Sequence, residues 1–124
     1  MTSIVFLVDK SDLFMGFKMI GHAGYNTNGP DILCSALSAT SQMTVNGIID
    51  ALKNTKHKDD VIVAEMSNIG TLYLTLENGA HKSAVVQQLI KSFMMFVTGL
   101  MNADEYHNFV RVEKEGGQKR DNTD

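Results

Sequence analysis

The chain has 124 residues, 44% of them hydrophobic and 20% charged, with a formal net charge of −3. That is enough for one domain with a real core, and small enough that oligomerisation would add to its stability. So mild a charge, with no Lys/Arg cluster interleaved with aromatics, gives no support for nucleic-acid binding.

Residues 3–9 (SIVFLVD) form a short β-branched run that is apolar at both parities, which predicts a strand covered on both faces. A turn at Lys10-Ser11-Asp12 and a second strand over residues 13–22 complete a hairpin. The segment 23–30 is a glycine loop, and residues 31–53 read as the first helix. Pro30 fixes its approach, and Asp31 is a residue type suited to the N-cap. No charge occurs from residue 32 to 49, and small residues dominate early, which predicts a closely packed helix. A charged loop (54–60) precedes a second hairpin, with strands over 61–67 and 71–76.

Residues 83–102 read as a second helix that is apolar around half its circumference. One sheet contact needs less than that, so a second contact is expected, with the first helix or with a partner subunit. A last strand is read over 109–113. Residues 114–124 are polar and glycine-rich and read as a disordered tail after a single domain, 1–113. The order β-β-α-β-β-α-(β) predicts an α+β fold, an antiparallel or mixed sheet packed with two helices. No signal-peptide pattern opens the chain. No apolar run approaches the ~18 residues of a membrane span, so a soluble cytoplasmic protein without membrane contact is expected.

The chemistry concentrates in residues 21–38. This stretch holds the only cysteine, Cys34, and the only proline, with His22 leaving a strand ahead of it. A lone cysteine closes no internal disulfide. Its thiol is therefore either a small packed hydrophobe or a reagent. A thiol is a useful nucleophile only as thiolate, which needs a lowered pKa or a base. With Asp31 as N-cap, Cys34 is the third helical residue, where free N–H groups and the helix dipole favour S⁻ and can hold an oxyanion. His22 is the candidate base. Asp31 either caps the helix or orients His22. Ser38 lies on the Cys34 face of the helix. Gly21, Gly24 and Gly29 suggest positive φ or close approach of substrate backbone. His57, His81 and His107 show no metal-ligand spacing, and nothing calls for a metal or cofactor.

The pattern Gly21-His22-Ala23-Gly24-Tyr25, then Gly29, then Asp31-Ile32-Leu33-Cys34-Ser35-Ala36-Leu37-Ser38, resembles the Prp family of ribosomal-processing cysteine proteases. The resemblance implies a cysteine endopeptidase that removes the N-terminal extension of a large-subunit ribosomal protein. It also implies a homodimer, with His22 as base and Cys34 as nucleophile. Asp31 and Ser38 match positions that support the family's site. Two other readings are weighed against this one. A non-catalytic ribosome-assembly or protein-binding module would keep the motif for packing. A thiol redox or acyl-carrier role would need no peptide turnover, and redox chemistry would lack a resolving cysteine.

Overall fold

The computed structural model describes residues 1–21, 30–66 and 71–116. Its elements are β1 (Thr2–Val8), β2 (Phe14–Ile20), α1 (Pro30–Leu52), β3 (Val61–Met66), β4 (Thr71–Leu76), a short 3-10 helix (Ala80–Lys82), α2 (Ala84–Asn102) and β5 (Val110–Gly116). The α+β class and the element order are as the sequence predicts. The short helix was not foreseen, and β5 continues to Gly116, into the segment read as tail. Residues 117–124 lie outside the described residues.

The five strands form one mixed sheet in the order β3-β4-β2-β1-β5. β1 is antiparallel to β2 and parallel to β5. β4 is antiparallel to both β2 and β3. One row runs Glu65–Leu72–Met19–Ile4–Val112 across all five strands.

Strand alternation sends Ile4, Phe6 and Val8 of β1, Phe17 of β2 and Leu72, Leu74 and Leu76 of β4 into one core. From α1 the core takes Leu33, Leu37, Val45, Ile48 and Leu52; from α2 it takes Val86, Ile90, Phe93 and Val97. Phe93 seats its ring 4.9 Å from Phe17 and 5.7 Å from Phe6. The first pair is tilted and the second edge-on, so both avoid the face-to-face sandwich that aromatic quadrupoles disfavour. Val5 is buried too, at 6% exposure, although its side chain is on the other face of β1. That accounts for the unbroken apolar run in the sequence.

The two helices also pack on each other. Gly47 lets Leu89 approach so closely that a Cβ there would sit 3.3 Å from Leu89 Cδ1. Both helices are long and apolar enough to cross a membrane by length and composition, with mean hydropathy of 1.2 and 1.4. A count of uninterrupted apolar residues passes over this, because polar residues punctuate both helices. In the fold, these helices contribute their apolar stripes to the core.

Candidate active site

β2 ends where β1 begins, with Ile20 opposite Ser3, and β5 also begins at this end, with Val110 opposite Thr2. Gly21 follows at φ +95°, and a Cβ there would sit 2.7 Å from the carbonyl oxygen of Met1. Glycine is therefore required to turn the chain off the sheet. The close approach expected at Gly21 is real, but the group pressed against it is the chain's own first residue.

α1 starts at Pro30, so Asp31 lies inside the first turn and is not the residue that precedes it. This corrects the expected N-cap. Proline suits a first helical position because its missing N–H would go unpaired there anyway. Cys34 is consequently the fifth helical residue and stands two positions deeper than expected. His22, Gly24 and Gly29 lie outside the described residues, as does the Asp31 side chain.

Cys34 is a free, partly buried thiol that packs against the core. At 100° per residue, the core-facing line of α1 runs through Leu33, Leu37, Thr44 and Ile48. Thr40, Met43 and Gly47 lie to one side of that line, toward α2. Cys34, Ser38 and Gln42 lie to the other side, and Ser38 and Gln42 are exposed. Gln42 Nε2 donates to Glu65 Oε2 of β3 at 3.2 Å. The thiol side of α1 therefore looks away from α2, toward the β3 edge of the sheet. Ser38 shares this stripe with Cys34, as its spacing predicted.

The other histidines are committed elsewhere. His57 Nδ1 is 2.8 Å from Asp60 Oδ2, His81 Nε2 is 2.9 Å from Asp9 Oδ2, and His107 Nδ1 is 3.0 Å from the Asp104 carbonyl oxygen. Among the described residues, no group of three or more His, Cys, Asp or Glu side chains is placed to hold a metal ion. The contact missed from the sequence is Gln42–Glu65. Its only sequence signal is the four-residue spacing Cys34, Ser38, Gln42.

Residues 1–111 match the sequence profile of the cysteine protease Prp family. No curated protein matches the chain. The fold is that of several solved structures. One is the ribosomal processing protease Prp of S. aureus with a covalently linked product peptide, at 20% identity and a TM-score of 0.75. That likeness covers 93% of this chain and all of that one. The same S. aureus protease with a substrate peptide gives 17% identity and a TM-score of 0.76 over the same shares. SMU.848 of Streptococcus mutans gives 24% identity and a TM-score of 0.77, covering 94% of this chain and 95% of that one. At such identities the likeness speaks for the fold; the match over residues 1–111 speaks for the chemistry. The reading as a non-catalytic module thereby gives way to an enzyme. The chain belongs to the Prp family of cysteine proteases.

Proposed function

We propose that Cys34 is the nucleophile and His22 the general base in cleavage of the N-terminal extension of a large-subunit ribosomal protein. One observation carries this: Cys34 is the only thiol in a chain that belongs to a cysteine protease family. The S. aureus relatives, which are ribosomal processing proteases with substrate and product peptides bound, support the substrate class. A ribosomal substrate also puts the enzyme in the cytoplasm.

In this mechanism the imidazole of His22 takes the thiol proton and the thiolate sulfur attacks the scissile carbonyl carbon. The C–S bond forms as the carbonyl electron pair moves onto oxygen. Free N–H groups of the first turn of α1 (those of Asp31 and Ile32, since proline has none) favour negative charge at this end. Collapse of the tetrahedral intermediate breaks the C–N bond, and the leaving amine takes the proton from the imidazolium. Water, deprotonated by the same imidazole, then attacks the thioester, releasing a carboxylate and restoring the thiol. Asp31 and Ser38 serve as positioning residues beside the pair.

The test incubates the enzyme with a peptide spanning the extension junction and reads products by mass spectrometry. Wild type cleaves at one bond, while Cys34→Ala and His22→Ala fall by 10³-fold or more, the order expected for unit residues of a catalytic group. Undiminished cleavage by either variant rejects the assignment. We propose further that the chain acts as a homodimer, because Val85, Met95 and Phe96 of α2 stay 56%, 62% and 42% exposed after α1 has packed. A monomeric mass by light scattering at micromolar concentration rejects that.

A further inference from the structure

We propose that the outer edge of β3 is a docking strand for the peptide substrate, which adds to the sheet there and is led along α1 to Cys34. This rests on the protease reading above.

The two edges of the sheet differ. β5 is blunted by charge: it carries Arg111, Glu113, Lys114 and Glu115, with Lys18 3.7 Å from Glu115 and Lys114 3.3 Å from Asp12. β3 has no such protection. Its sequence is Val-Ile-Val-Ala-Glu-Met, without lysine or proline, and it pairs with β4 in unbroken register, without a bulge. Ile62 and Val63 are 42% and 41% exposed, and Ala64 and Glu65 are exposed as well. Among the described residues, β3 pairs with β4 alone. A regular edge with five apolar residues and a single carboxylate is what proteins otherwise avoid, because its free N–H and C=O groups template pairing with another chain. Where it persists it suits an extended peptide, whose main chain supplies the hydrogen bonds.

The position of this edge selects the occupant. β3 runs parallel to β2, toward the end of the sheet where Gly21 leaves it. Its one acidic residue, Glu65, is held by Gln42 on the Cys34 side of α1. Cys34 lies two turns nearer the start of α1 than Gln42, about 12 Å at ~1.5 Å per residue. An extended chain covers that in about four residues at ~3.3 Å each. A peptide paired with residues 62–65 therefore carries its scissile bond to the thiol a few residues further on. Its alternate side chains lie over Val63 and Gln42.

The experiment uses the Cys34→Ala protein with the same junction peptide, and a series in which each amide in turn is N-methylated. The expected result has two parts. Binding weakens by about 3- to 10-fold at every second residue of one stretch, the worth of one lost hydrogen bond, and is little changed at the residues between. Hydrogen exchange at the amides of residues 61–65 slows on saturation with the parent peptide. Binding without the two-residue alternation, with β3 amides unaffected, overturns the docking strand and leaves the protease reading intact. Amides of β3 already protected in the free protein, increasingly so with protein concentration, assign the edge to a second copy and also overturn it. A peptide that the wild type does not cleave and the variant does not bind removes the protease reading and this inference together.

Discussion

His81 Nε2 lies 2.9 Å from Asp9 Oδ2, joining the short 3-10 helix ahead of α2 to the β1–β2 turn across 72 positions of sequence. The other carboxylate oxygen, Asp9 Oδ1, accepts the N–H groups of Ser11 and Leu13 at 2.8 and 2.9 Å. Partial burial pushes the Asp9 carboxyl up, but the Leu13 N–H, the His81 ring and the Ser11 N–H outweigh it and hold it below its ordinary value. Asp60 is also held low, by Asn78 and then His57. A depressed carboxyl contributes stability that is present above its unfolded pKa and lost as pH falls through the folded one. Thermal unfolding from pH 7 to 3 is therefore expected to show the melting temperature falling below about pH 4. In Asp9→Ala that acid limb flattens, and unfolding free energy at pH 7 drops by about 2 kcal/mol, because three donors lose an acceptor. An acid limb as steep as wild type in Asp9→Ala refutes the linkage.

Gln87 makes a second tie in the same corner. Its Oε1 accepts the Phe14 N–H at 2.9 Å, while Nε2 donates to the carbonyls of Phe14 and His81 at 2.8 and 2.7 Å. A glutamine here matches the donors and acceptors of an otherwise unpaired strand start. Gln87→Leu keeps the bulk and strands all three backbone groups, so urea unfolding is expected to lose about 2–3 kcal/mol. The m-value stays unchanged, since the surface exposed on unfolding is the same. A loss below about 0.5 kcal/mol contradicts the assignment.

Gly21 sets where the chain departs toward the active site. Gly21→Ala combines a positive φ with a Cβ 2.7 Å from the Met1 carbonyl oxygen. A cost of about 1–3 kcal/mol is expected from the backbone. Peptide cleavage should also fall, since the strand exit must move. Removing Met1 and Thr2 in the same variant relieves the clash and restores part of the cleavage. A Gly21→Ala protein with wild-type stability and turnover contradicts this account.

Cys34 packs only its inner side against the core, so its truncation removes little buried surface. Cys34→Ala is expected to unfold within about 1 kcal/mol of wild type. Its loss of cleavage then reports chemistry and not folding. A destabilisation above about 3 kcal/mol assigns the residue to packing instead.

Much of the fold was legible in the residues because it is local. Alternation in Leu72, Leu74 and Leu76 gave β4 with the bounds observed, Thr71–Leu76. Ser83 marked the start of α2 and caps it, accepting the Val86 N–H at 3.3 Å. The helical spacing of Val86, Ile90, Phe93 and Val97 was present before any packing was known. The rarity of cysteine and its place after a glycine loop singled out Cys34 at the same level.

Tertiary structure decided what depends on residues far apart in the chain. Among the described residues β3 pairs with β4 alone, while β5 adds to β1 at the far side of the sheet; this leaves β3 an edge strand, and no local pattern distinguishes an edge from an interior strand of similar composition. The packing of α1 beside α2 settled which flank of α1 faces outward, and so turned Cys34, Ser38 and Gln42 toward β3. Likewise Asp9 and His81 meet only because β1 and the short helix close the same end of the sheet. Propensity and period act over a few residues; register, edges and side-chain encounters are fixed by the shared core, which the whole chain builds at once.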